Sequence, residues 1–328
     1  MRTTILFGGS NKERLVSVAS AQALHQALPE ADLWFWAVAD TVHDVRSETL
    51  LNHTRPFEDE FNPGSPGAAL EAALDQAKAE GRLLVLGLHG GRAENGELQA
   101  MCELRGIAFT GSGSASSNLA FDKVAAKRFA AIAGVKAPAG IALEEIETAF
   151  AEYGKLIAKP AKDGSSYGLI FVNAKQDLVA VRNAARTEEY VIEPFISGIE
   201  ATCGVLEQSD GSVFSLPPIE IVPAEGGFDY TAKYLLKSTQ EICPGRFSPE
   251  IGAQLMDYAH RAHRALSCSG YSRTDFIVSA KGPIYLETNT LPGLTTASLY
   301  PKALKAQGID FADFLHDQIE LARKRAQK

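Results

Sequence analysis

Four polar side chains near the end of the chain have the types and the spacing for phosphate chemistry. In YSRTDFIV, Arg273 and Asp275 lie two apart and so project from one face of a strand; in IYLETN, Glu287 and Asn289 do the same. Only KGP separates VSA from IYL, a turn short enough to pair the two runs as an antiparallel hairpin and gather all four side chains. Two carboxylates and an amide oxygen form a hard oxygen set. It suits Mg²⁺ with substrate phosphates, and suits zinc poorly, because zinc takes nitrogen or sulfur. The arginine beside them would clamp an anion. Read alone, the trio fits an edge hairpin laced by ion pairs equally well.

Further residues fit the same chemistry. KPAKDGSSYG, residues 159–168, places Lys159 at a strand end before a loop of small residues and hydroxyls, where backbone can approach a polyphosphate and the ammonium can meet it. This is neither GxxxxGK[ST] nor GxGxxG before a helix, and an ordinary hairpin turn is the alternative. Glu193 and Glu200 flank the strand break EPFISGIE, suited to an adenine amino group and a ribose hydroxyl, although isolated glutamates are usually just solvated. Lys123 and Glu13 are open between a site and a solvated surface, and solvation is expected for Lys127 and Arg128. His89 ends a strand before two glycines, where a parallel sheet exposes its ligand crevice.

The elements that must position these residues alternate. TTILFGG followed by SNKERLVSVASAQALHQAL reads as strand, glycine turn and amphipathic helix; LWFWAVA, a polar loop over 52–67, a helix near 68–80 and RLLVLGLHG continue it, which implies a parallel sheet. A helix over ENGELQAMCEL and a short strand IAF close this unit near 110–114. One continuous helix, SSNLAFDKVAAKRFAAIAG, opens a second unit with strands LIAKPA, LIFV and YVIEPFI and a helix near 175–187. Strands at ATCGVLE and VFSLPPIEIV, an irregular segment at 224–247, a helix from about 249 to 268, the hairpin and two terminal helices follow.

With 328 residues, 45% hydrophobic and 22% charged, the chain is sized for two or three soluble domains. A net charge of −8 and a pI near 5.5 oppose a nucleic-acid surface. Cys102, Cys203, Cys243 and Cys268 form no CxxC or Cys/His pattern, so reduced thiols are expected. The N-terminal run ILF is too short for a signal peptide and no apolar run approaches about 18 residues, so a cytoplasmic protein without membrane contact is expected.

Taken in order, GGSNKER, LHGGRAENGELQAMCEL, TGSGSASSNLAFDK, KPAKDGSSYG, EPFISGIE, FDYTAKY, TQEICPG, SRTDF and ETNTLPGLTTASLYP resemble the D-alanine:D-alanine ligase family of ATP-grasp enzymes over nearly the whole chain. The resemblance implies an α/β and α+β, three-domain ATP-grasp fold: a Rossmann-like parallel sheet (1–112), a small central domain (113–192) and a C-terminal antiparallel-sheet domain (193–328). ATP lies between the sheets of the last two. It implies ATP and D-alanine as substrates, two Mg²⁺ or Mn²⁺ ions per site, an acyl-phosphate intermediate, a role in peptidoglycan precursor synthesis, and a homodimer. By resemblance, Asp275, Glu287 and Asn289 ligate the metals, Lys123 and Lys159 touch the phosphates, and Glu193 and Glu200 the adenosine, with Phe195, Ile196 and Lys233 also binding the nucleotide. Glu13 receives the ammonium of the first D-alanine and Ser298 the carboxylate of the second, near His89 and Leu299. Arg273 and the N–H of Gly293 form the oxyanion site; Ser165 and Tyr234 hydrogen-bond toward the substrates. The loop DGSSYG and the segment 224–247 are expected to open for substrates. Departures from the family pattern are AENG at 93–96, Thr231 and Tyr167. Alternatives are a ligase with another acceptor, such as D-lactate or D-serine, and a nucleotide-binding homologue without catalysis, although all three metal ligands are present.

Overall fold

The structure, a computed structural model, describes residues 1–162, 168–223 and 239–327. Its first sheet contains β1 (Arg2–Gly8), β2 (Asp32–Trp36), β3 (Thr41–Val45), β4 (Gly67–Ala69), β5 (Arg82–Gly87) and β6 (Ala108–Phe109), in the order β4-β3-β2-β1-β5-β6. The expected parallel sheet is present as β2-β1-β5-β6. Beyond it, β3 and β4 run antiparallel; β3 was not expected, and β4 takes the end of the loop expected over 52–67 and the start of the helix expected near 68. TVHDV is half-polar and GAA only three residues long, so neither carries much period-2 signal. Pairing of β3 to β2, and of β4 to β3, supplies what propensity lacks. Buried runs such as Ile5–Phe7 and Leu83–Leu86 are apolar on both faces because helices cover both sides.

The single helix expected over SSNLAFDKVAAKRFAAIAG is two helices, Ser114–Phe121 and Lys123–Ile132. Asp122 breaks it by leaving the helical region at ψ 101°, and its Oδ1 accepts from the N–H groups of Val124 and Ala125, each at 3.0 Å. Two consecutive helices replace one: Asp122 supplies an N-cap in mid-run, and the N–H of Lys123 turns to the carbonyl of Ala161 at 2.9 Å.

The small sheet has β7 (Leu156–Pro160) between β8 (Ile170–Val172) and β9 (Tyr190–Pro194), all antiparallel. The expected domain limit at 192 falls within β9. The last sheet contains β10 (Ile199–Glu207), β11 (Val213–Ser215), β12 (Ile219–Val222), β13 (Gln240–Ile242), β14 (Tyr271–Ser279) and β15 (Gly282–Asn289). VFSLPPIEIV is split between β11 and β12, since Pro217 and Pro218 have no N–H to give a ladder. The final helix, Phe311–Ala326, returns to the first sheet. Phe314, Leu315 and Ile319 share a core with Ile5, Phe7, Leu83 and Val85.

Candidate active site

The expected antiparallel hairpin forms, with Arg273 opposite Asn289 and Asp275 opposite Glu287. A bulge between Asp275 and Phe276 then restarts pairing at Phe276–Tyr285. The extra residue lets Tyr285 and Phe276 enter the core, at 0% and 1% exposure, while Glu287 keeps its place across from Asp275. Arg273 Nε and one terminal nitrogen each donate to a different oxygen of Asp275 at 2.9 Å, a bidentate clamp. Asn289 Nδ2 adds a bond at 3.1 Å and Thr202 Oγ1 one at 2.6 Å. Glu200 lies two residues from Thr202 on β10, hence on the face that Asp275 occupies.

Lys123 is 5% exposed and reaches Glu287 at 3.5 Å, so the solvated alternative for it falls away. Together with Glu94, Phe121 and Asn289 these two border a cleft. Lys127, expected to be solvated, is instead buried and ion-paired with Glu193, which Lys159 also contacts at 3.3 Å. The i,i+4 spacing from Lys123 was the available signal: it puts both lysines on one helix face. Arg128 is exposed, as expected.

His89 is buried. Its Nδ1 lies 3.0 Å from the carbonyl of Leu291 and its Nε2 2.8 Å from Ser20 Oγ, so Nδ1 donates to the carbonyl and Nε2 accepts from the hydroxyl. Burial, with the Arg273 charge nearby, holds its pKa down to about 4, and the ring is neutral. Glu94, not singled out from sequence, is the second link to this strand end. It accepts from the N–H groups of Thr290 at 3.1 Å, Leu291 at 3.2 Å and Gly90 at 3.0 Å, and burial pushes its pKa up against those bonds. In the departure AENG, therefore, the glutamate is engaged with the hairpin exit, while Asn95 turns to the N–H of Glu97 at 3.0 Å.

Glu13 lies beside Gly90, where an added Cβ would stand 2.0 Å from Glu13 Oε2; φ of +64° further fits that position to glycine. A Cβ at Gly293 would come within 2.8 Å of Ser298 Oγ, so these two expected substrate contacts are neighbours. Ser298 Oγ accepts from the N–H of Thr295 at 3.1 Å, and Leu299 opens the helix Leu299–Ala306. Phe195 is 40% exposed and meets Phe171 edge to face; Ile196 follows it, half-buried. Ser165, Lys233 and Tyr234, with the departures Tyr167 and Thr231, lie outside the described residues, as do the loop DGSSYG up to its last glycine and most of 224–247.

Family models match both parts of the chain: the D-ala D-ala ligase N-terminus over residues 2–112 and the D-ala D-ala ligase C-terminus over 140–320. The chain belongs to the D-alanine–D-alanine ligase family. It is 35% identical to the D-alanine–D-alanine ligase of Syntrophobacter fumaroxidans, with 98% of this chain and 97% of that one covered. It is 33% identical to that of Halalkalibacterium halodurans, covering 99% and 100%. Among solved structures, the VanG D-Ala:D-Ser ligase from Enterococcus faecalis superposes with a TM-score of 0.78 at 30% identity, over 98% of this chain and 99% of that one. The architecture is the ATP-grasp fold of this family, a mixed sheet followed by two antiparallel ones. Among the described residues no helix is long and apolar enough to cross a membrane.

Proposed function

We propose that this protein joins two D-alanines at the expense of ATP, forming D-alanyl-D-alanine for peptidoglycan precursors through an acyl phosphate. The observation that carries the reading is the hairpin quartet, Arg273, Asp275, Glu287 and Asn289, on one face of the last sheet and bordered by Lys123. The donor set fits a divalent ion: two carboxylates and an amide converge, and Asp275 is oriented by its bonds to Thr202 and Asn289. Asp275, Glu287 and Asn289 would hold Mg²⁺ or Mn²⁺, two ions per site by family resemblance. When bound, these ions supply neutralisation of phosphate charge.

A carboxylate is a poor electrophile. The oxygen of the first D-alanine takes the γ-phosphoryl group and ADP leaves; the amine of the second then attacks the activated carbonyl, phosphate departs, and the ammonium proton is lost. In this reading Lys123 and Lys159 orient the phosphates, Glu193, Glu200, Phe195 and Ile196 hold the adenosine, and Lys233 assists. Glu13, beside Gly90, takes the first ammonium near His89, while Ser298 and Leu299 seat the second substrate. Arg273 faces the oxygen on which charge builds, with the N–H of Gly293, and stabilisation by one such donor is typically worth about 10²–10³ in rate. Ser165 and Tyr234 would line the acceptor. Residues 1–112, 113–192 and 193–328 would be three units, the assembly a homodimer and the setting the cytoplasm, readings supported by the resemblance.

A second reading has D-serine as acceptor, favoured by the likeness to VanG. Phosphate release with ATP, Mg²⁺ and a panel of D-amino and D-hydroxy acids, with products identified by mass, decides between them. Phosphate and D-alanyl-D-alanine with D-alanine alone are expected. No phosphate release with D-alanine would overturn the main reading, and a preferred mixed dipeptide would establish the second.

A further inference from the structure

Lys127, Lys159 and Glu193 form a cluster of two lysine side chains on one buried carboxylate. Ile157 pairs with Glu193 in register, so Lys159, two residues along β7, shares its face of the small sheet; Lys127 reaches the same carboxylate from the helix Lys123–Ile132. Glu193 is 1% exposed and Lys127 7%. Two lysines on one carboxylate leave one of them without a matching charge whenever both are protonated, and an anion entering the cluster can take it. Lys159 is the partner able to leave. Its contact with Glu193 is 3.3 Å, on Oε2, whereas Lys127 holds Oε1 in a closer bond, and the Lys159 side chain is the more exposed at 13% against 8%.

We propose that Lys127 is a positioning residue of the nucleotide site, anchoring Glu193 while Lys159 exchanges that carboxylate for a nucleotide phosphate. The inference rests on the nucleotide-binding part of the proposed function. Without Lys127, departure of Lys159 strips Glu193 of both cations inside the protein, so Lys159 stays and the phosphate loses it. Geometry supplies the exchange, and protonation supplies its signature. Burial, and next the Lys159 charge, push the Lys127 pKa down to about 7 against the pull of Glu193. Among the elements packed on its helix, Ser114–Phe121 carries no titratable side chain. β15 brings Glu287, engaged by Lys123, and the helix Pro249–Ala265 carries Glu250, Tyr258, His260, His263, Arg264 and the mutually paired Asp257 and Arg261. When Lys159 turns to a phosphate, its repulsion of Lys127 falls and the Lys127 pKa rises. At about pH 8, above the free-state value, nucleotide binding draws in a proton; at about pH 6, Lys127 is charged in both states and draws in none.

The test is calorimetric titration of ADP with Mg²⁺ into the intact protein, in two buffers of different ionisation enthalpy. Wild type is expected to show proton uptake near pH 8. Lys127→Arg should bind ADP with that uptake gone, since arginine does not titrate in this range. Lys127→Met should weaken ADP about tenfold and leave the KM for D-alanine within about twofold, a split that a purely structural role would not produce. Uptake retained in Lys127→Arg, or unchanged ADP affinity in a folded Lys127→Met, would overturn the inference. If Lys127→Met does not fold, the arginine arm decides alone. Failure of wild type to bind ADP would instead remove the nucleotide reading, and this inference with it.

Discussion

Asp275 accepts hydrogen bonds from Arg273, Asn289 and Thr202, and Glu287 stands across from it with Lys123 at 3.5 Å. Glu287→Gln keeps the volume and removes the charge, so turnover is expected to fall by roughly 10³ or more with the fold retained. Near-normal phosphate release from a folded variant would count against the metal-ligand role. Two buried histidines contribute acid sensitivity. His89 and His263 are buried and neutral, each held down to about 4 from 6.5 chiefly by burial. Because the folded pKa values lie below the unfolded one, stability is full above about pH 6.5 and is lost as pH falls through the window toward 4. At about pH 5 each histidine should cost about 2 kcal/mol. Urea unfolding of wild type and His263→Asn at neutral and acid pH measures this; an equal acid loss in both would refute the assignment to His263.

Asp122 is the element-scale counterpart, a residue that decides where one helix ends and the next begins. By capping the helix Lys123–Ile132 it sets the direction from which Lys123 and Lys127 enter the site. Asp122→Ala should lower stability by about 1 kcal/mol, the usual worth of an N-cap. It should also raise the KM for ATP severalfold, because a frayed first turn lets Lys123 wander. Loss of stability with an unchanged KM would confine Asp122 to folding. The bulge in the hairpin acts at the same scale. One extra residue reconciles two buried aromatics with a carboxylate facing the cleft.

Across the whole molecule, the first sheet's neighbourhood and the hairpin are tied by Glu94 and His89, which together engage the N–H and the carbonyl of Leu291. Arg325 in the last helix adds bonds to the carbonyls of Phe109 and Gly111, both at 2.8 Å. These bonds add to the apolar core that the last helix shares with the first sheet. Glu94→Gln cannot accept from both sides as a carboxylate does, and leaves one buried N–H facing an amide NH₂. Its expected cost is about 2 kcal/mol, from an unsatisfied buried donor. A fall in kcat with little change in the KM for ATP should accompany it. Urea unfolding and steady-state kinetics check both, and a wild-type urea midpoint would dismiss the tie.

The sequence by itself determined the hairpin, its four polar residues and the parallel core of the first sheet. Period-2 spacing and a short turn are local rules, and chemistry-bearing residues at fixed offsets stay together whatever surrounds them. Family motifs in order added the overall architecture. Only the tertiary structure decided the state of Lys127, the engagement of Glu94, the added strands β3 and β4, and the tautomer of His89. Whether a lysine on a helix is solvated or buried depends on what packs against that face. For Lys127 the answer came from β7 and β9, tens of residues further along the chain. Asp122 was readable as a cap but lay within an unbroken helical pattern, and the competition between helix continuation and a capped restart was settled by Ala161, whose carbonyl accepts from the N–H of Lys123 at 2.9 Å.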